Sequence, residues 1–190
     1  LLLWILSSVT ITVSFLVFDR ENYLTLAASL IGVASLIFNA KGNPFGQLLM
    51  VIFSVLYGII SYSFSYYGEM ITYMGMTGPM ALFALVSWLK NPYKGKKSQV
   101  KVNSISRKEV WFTVLLTAVV TAVFYFILKY FETANLFFST LSVTTSFGAV
   151  YLTFRRSPYF ALIYALNDIV LIILWVYASL SDTIYLSVVI

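Results

Sequence analysis

Cysteine and histidine are both absent from these 190 residues. Their absence removes Cys/His metal sites, thiol chemistry and a Ser-His-Asp triad from consideration. No stretch has the shape of a nucleotide-binding loop, so a primary ATP-driven pump would need a separate subunit. Charge is also scarce. Only 10% of the residues are Asp, Glu, Lys or Arg, against about 25% in an ordinary soluble domain. That excludes a soluble globular protein. Apolar residues take the place of charge, at 61% of the chain with a mean hydropathy of +0.91.

About 20 consecutive apolar residues cross a bilayer as a helix. Runs of that kind occupy residues 1–18, 23–40, 46–67, 69–89, 109–130, 134–153 and 157–179, and an eighth opens near Ser181 and is cut off at Ile190. β-Barrel strands would be alternating runs of about ten residues, whereas these runs are continuous and about twice as long. The chain starts without Met and stops inside an apolar run. It is therefore expected to be part of a longer protein.

The stretch 90–108, "KNPYKGKKSQVKVNSISRK", carries Lys90, Lys94, Lys96, Lys97, Lys101, Arg107 and Lys108 and no acid. A basic run could bind nucleic acid, but between two spans it reads as a cytoplasmic loop held inside by its charge. Contact with anionic lipid adds to that reading. Alternation of the spans then puts Lys41, Arg155 and Arg156 on the same side, so ten of the twelve basic residues face the cytoplasm.

Residues 43–65, "NPFGQLLMVIFSVLYGIISYSFS", align without a gap on 157–179, "SPYFALIYALNDIVLIILWVYAS". Pro44 meets Pro158, Leu48 meets Leu162 and Ser65 meets Ser179. Each segment follows a basic turn, begins with a proline where a missing N–H is harmless, and is followed by an acid, Glu69 or Asp182. Each is the middle span of a three-span group, with 109–130 between the groups. A single intervening crossing gives both groups the same orientation, the parallel-repeat plan of some small-solute carriers, whose sites lie at the repeat interface near the midplane. The expected organisation is an extra N-terminal span at 1–18, a first bundle at 23–89, the basic loop at 90–108, a linking helix at 109–130 and a second bundle at 134–190.

Polar side chains in the two middle spans are the candidate site. In the first, Gln47, Met50, Ser54, Tyr57, Ser61 and Ser65 recur at steps of three and four and share one helical face. Serines with Gly58 serve either as glue between helices or as cavity lining; the larger tips of Gln47 and Tyr57 favour lining. In the second, Phe160, Tyr164, Asn167, Asp168, Leu171 and Trp175 form the matching face. An acid at this depth costs roughly 2.5 to 3.5 kcal/mol on insertion scales, and such residues usually belong to a site or pathway. The pair Asn167 and Asp168 is either a hydrogen bond between helices or, with its aromatic neighbours, a pocket for a flat polar solute. Span 69–89 adds Tyr73, Met76, Thr77 and Met80, and its regularity is broken by Gly75, Gly78 and Pro79, which mark either a moving segment or a packing kink.

These residues resemble the PnuC family of nicotinamide riboside transporters. The resemblance rests on "FSVLYG" with the "YYGE" that follows, "ALVSW" before the basic loop, and the Asn-bearing span after "TFRRSPYF", and it covers the chain from about Tyr23. It implies an all-α polytopic membrane protein with two parallel three-helix bundles around a linking helix, similar to a full-length SWEET sugar transporter. It also implies facilitative uptake across the bacterial cytoplasmic membrane by alternating access, without a cofactor, feeding NAD biosynthesis. The family's W-x-x-x-N motif stacks a Trp on the nicotinamide and contacts it through the Asn. Asn167 matches the Asn, but Ile163 stands at the Trp position, so the stacking residue falls to Tyr164, Phe160 or Trp175. A family Gln in the first bundle falls at about Tyr73. Relatives are thought to carry thiamine, riboflavin or deoxynucleosides.

Nicotinamide riboside is a pyridinium cation with an uncharged amide and a ribose, which suits a buried carboxylate, an amide and an aromatic face. Thiamine suits the same set, and riboflavin would not need Asp168. The expected binding residues are Asn167, Asp168, Tyr164, Trp175, Phe160, Gln47, Ser54, Tyr57 and Tyr73. The expected partners are a small vitamin-like solute and membrane lipid, with no nucleic acid, and a homo-oligomer stays open. Proton coupling through Asp168 is an alternative mechanism. An intramembrane enzyme is disfavoured because its acid/base chemistry would rest on Asp168 alone; a non-transporting subunit or receptor is a further rival.

Overall fold

A computed structural model describes residues 2–18, 20–63, 66–133 and 135–181, except for the side chains of Phe18, Trp175 and 178–181. The expected eighth span, the stripe residue Ser65 and the acid Asp182 lie outside the described residues, as does the side chain of Trp175. Seven helices occupy the described chain: α1 (Leu2–Phe18), α2 (Tyr23–Ala40), α3 (Phe45–Ser63), α4 (Tyr67–Lys90), α5 (Arg107–Tyr130), α6 (Leu136–Phe154) and α7 (Phe160–Ser181). Helices α2 to α6 are each long and apolar enough to cross a membrane, while α1 and α7 have shorter described apolar stretches. Large apolar side chains point outward along them, such as Trp111, Leu115 and Phe126 on α5, as expected where the solvent is lipid.

The chain divides into two compact units, 1–101 and 102–190. In the first, α3 packs against α2 on one side and against α4 on the other, and α1 lies against α2. In the second, α6 packs between α5 and α7. Helix α4 is not regular. Its residues Thr72–Thr77 form a π-helical turn that ends at Gly78, immediately before Pro79. A proline inside a helix has no N–H to give the carbonyl four residues back and crowds it. Widening the preceding turn relieves that conflict, and Gly78 N donates to Tyr73 O instead.

The basic segment 90–108 is more ordered than a loop. Pro92–Tyr93 and Lys96–Val100 pair as an antiparallel hairpin. Its two-residue turn, Lys94 and Gly95, has φ of 48° and 76°, the backbone of a type I′ connection whose twist matches the strands it joins. The hairpin is tied to the first unit where Val100 N donates to Gly42 O at 2.9 Å. Helix α5 begins two residues earlier than its apolar run, at Arg107, because Ser106 and Glu109 form a reciprocal capping box, satisfying two otherwise orphaned N–H groups. The Glu109 carboxylate also pairs with Arg155.

Both α2–α3 and α6–α7 turn in the same way. After α2, Gly42 N donates to Asn39 O and Asn43 N to Phe38 O, each at 2.9 Å; after α6, Arg156 N donates to Thr153 O at 2.9 Å and Ser157 N to Leu152 O at 3.0 Å. These are two copies of the hydrogen-bond pattern that closes a helix with one left-handed residue. Gly42 (φ +67°) and Arg156 (φ +59°) occupy that position. The register is the one that aligns Pro44 with Pro158.

Candidate functional site

Asn167 is 5% exposed, and its surroundings come from α6. The side-chain oxygen Oδ1 accepts from Thr145 Oγ1 at 2.7 Å and Ser146 Oγ at 3.0 Å, with Ser142 Oγ at 3.5 Å. The three hydroxyls lie on one face of α6, at positions i, i+3 and i+4. The amide nitrogen of Asn167 makes no hydrogen bond among the described residues. An amide donor in an apolar medium is stabilised by an acceptor, and this end of the carboxamide has none among the described residues.

The neighbours on α7 form a stripe at steps of four. Phe160 and Tyr164 meet edge to face with ring centroids 6.2 Å apart. The Tyr164 hydroxyl lies near Thr153 of α6 and within electrostatic reach of Asp168. Successive helical residues are about 100° apart, so Asn167 and Asp168 do not point the same way. Asn167 is buried against α6, and Asp168 is exposed on its unit, with no hydrogen bond or ion pair among the described residues.

In the first unit the predicted residues separate. Tyr57 and Tyr73 come together, with centroids 4.5 Å apart, and Phe53 packs on both at 5.4 and 5.9 Å. Glu69, one helical turn before Tyr73, is within electrostatic reach of both hydroxyls. Ser54 is fully buried and donates to Met50 O at 2.8 Å. It lies against Gly78, where an added Cβ would stand 3.4 Å from its own. Ser54 also lines a pocket of about 240 Å³ with Tyr73, Met74, Gly78, Pro79 and Phe83.

Gln47 stands apart from this group. Its Nε2 donates to Asn39 Oδ1 at 2.8 Å, Asn39 Nδ2 donates to Ser35 Oγ at 3.3 Å, and Ser35 Oγ donates to Gly46 O at 2.9 Å. Ser35, Asn39 and Gln47 are all buried. The amide that seemed to need a ligand is committed to a network joining α2 to α3.

Sequence reasoning did not single out Ser142, Thr145, Ser146, Glu69 or Asn39 as members of these clusters. The run "STLSVTTS" at 139–146 is a visible signal for the first three. Nothing in it says which of its hydroxyls face α7, and Thr144 turns away to meet Thr121 of α5 at 2.9 Å.

Residues 22–190 match the family model described as nicotinamide mononucleotide transporter. Over 120 residues the chain is 27% identical to the nicotinamide riboside transporter PnuC of Neisseria mucosa; the match takes in 62% of this chain and 45% of that protein, so the chain spans under half the length of this curated relative. Its fold is similar to that of a crystal structure of the vitamin B3 transporter PnuC, with a TM-score of 0.78 and 22% identity, covering 98% of this chain and 83% of that one. At that identity the likeness speaks to the fold. The family match extends from the start of α2 through both units, and on it this multi-pass membrane protein belongs to the nicotinamide mononucleotide transporter family.

Proposed function

We propose that this protein carries nicotinamide riboside across the bacterial cytoplasmic membrane by facilitated, alternating-access uptake. The working parts would be two parallel three-helix bundles, 23–89 and 134–190, joined by the helix at 109–130. The observation that carries the reading is Asn167: a buried carboxamide in an apolar helix, its oxygen engaged by α6 and its nitrogen without a partner among the described residues. The carboxamide carbonyl of nicotinamide is an acceptor for that nitrogen. Tyr164 and Phe160 supply aromatic surface for the pyridinium, and Asp168 supplies the negative charge. Trp175 is a further proposed ligand contact in the second unit, and Tyr57, Tyr73 and Ser54 are those proposed in the first. Gln47 supports the first unit through Asn39.

Thermal-shift measurements on the purified protein with nicotinamide riboside, thiamine, riboflavin and a deoxynucleoside test this. Stabilisation by nicotinamide riboside, lost in Asn167→Ala, is the expected result. Stabilisation by uncharged ligands alone would overturn the cation argument. Proton coupling through Asp168 is the second reading, since this exposed acid sits within an apolar helix. It fails if Asp168→Asn still transports with an unchanged pH dependence.

A further inference from the structure

We propose that Thr145 and Ser146 are positioning residues that set the polarity of the Asn167 carboxamide, and so make the site selective for a ring substituent that accepts a hydrogen bond. The inference rests on the reading that Asn167 faces the substrate. A carboxamide can turn over and exchange its donor end for its acceptor end, so an Asn alone does not select for either.

The hydroxyl protons decide which end faces outward. Ser146 Oγ has one proton, and its only acceptor among the described residues is Asn167 Oδ1 at 3.0 Å. Turning the amide over would leave that proton without an acceptor and bring the two N–H bonds against α6. Thr145 is more flexible, because its hydroxyl also lies 3.0 Å from Leu141 O and 3.1 Å from Ser142 O. Its contact with Asn167 is nevertheless the shortest of the three, at 2.7 Å. Together they hold the oxygen inward and the two N–H donors outward.

The internal repeat supplies a control. In the shared register Ser146 corresponds to Gly32 and Asn167 to Phe53. In the first unit the Phe53 ring lies over Gly32, where an added Cβ would come within 3.1 Å of a ring carbon. The same backbone position thus holds an apolar ring on a glycine in one unit and an amide on a hydroxyl in the other. Helical packing alone is met by the apolar pair, so the polar pair is a specialisation of the second unit.

The test uses the full purified chain and two ligands, nicotinamide riboside and N-ribosylpyridinium, which lacks the carboxamide. The wild-type protein is expected to prefer nicotinamide riboside. In Thr145→Val/Ser146→Ala the Kd for nicotinamide riboside should rise about tenfold, the effect of losing one well-formed neutral hydrogen bond. The Kd for N-ribosylpyridinium should change less than twofold, so the preference collapses, and Thr145→Ser should retain it. A thermal melt without ligand reads folding, and if the double variant does not fold, Ser146→Ala alone carries the same comparison. Equal weakening of both ligands, or an unchanged preference, overturns the positioning role. If the wild-type protein shows no preference, or Asn167→Ala keeps it, the site reading itself falls; if Asn167→Ala loses the preference while Thr145→Val/Ser146→Ala keeps it, only the positioning falls.

Discussion

Replacing Gln47 with Met should destabilise the protein by about 1 to 2 kcal/mol and leave substrate affinity unchanged. Met keeps the length and most of the volume of the side chain, so packing loss is small. What is lost is the 2.8 Å bond from Gln47 Nε2 to Asn39 Oδ1. Interhelical hydrogen bonds in membranes average roughly 0.6 kcal/mol and reach about 1.7. Here the upper part of that range applies, because Asn39 is only 7% exposed and its carbonyl oxygen would be left without its donor, a loss of about 1 to 3 kcal/mol in buried sites. Removing both partners, Asn39→Leu with Gln47→Met, should recover much of the loss. A double-mutant cycle should therefore return a coupling of about 1 to 2 kcal/mol. Unfolding in bicelles gives the stabilities, and ligand titration of the folded fraction gives the affinities. A Gln47→Met protein with unchanged stability and an affinity more than about threefold weaker would place Gln47 in the binding site and refute the reasoning.

Gly46→Ala should abolish folded expression, because the new Cβ would stand 2.7 Å from the Asn39 backbone nitrogen, and backbone cannot swing aside as a flexible side chain can; size-exclusion profiles check this. Ser106→Ala should lower stability by about 1 kcal/mol through loss of the N-cap, with transport retained, as read in a melt and a liposome assay. Pro79→Ala returns an N–H to α4 and removes the crowding that widens the turn before it. It should raise the melting temperature while weakening substrate binding, because residues on either side of the turn shift in phase and Tyr73 leaves its contact with Tyr57. A variant that binds as tightly as the wild type would show the π-helical turn to be only a packing adjustment.

Much of the helical layout was legible in the amino-acid order. The basic segment was legible only as a charged connection, since pairing of Pro92–Tyr93 with Lys96–Val100 depends on two adjacent positive-φ residues at Lys94 and Gly95. The start of α5 was readable in principle from Ser106 and Glu109, but a hydropathy reading passes over polar caps. The internal repeat was detectable from a few aligned residues, and the matching helix-ending hydrogen bonds after Asn39 and Thr153 give it a physical basis. The candidate site was half legible: Asn167 and Asp168 were conspicuous in an apolar run, whereas Gln47 was conspicuous for the same reason and turned out to have a partner.

Hydropathy summed over some twenty residues is a property of local composition, and the cost of burying backbone in lipid leaves such a run few choices besides a helix. The order of residues therefore determined by itself that this chain crosses a membrane repeatedly and where most helices lie. Which polar side chains meet is a different kind of quantity. Asn39 and Gln47 lie on different helices, as do Thr145 and Asn167, and whether each pair touches depends on rotation and crossing of helices packed by distant contacts. Only the tertiary structure decided that the Gln47 amide closes a network between α2 and α3 and that the Asn167 oxygen turns to the hydroxyls of α6.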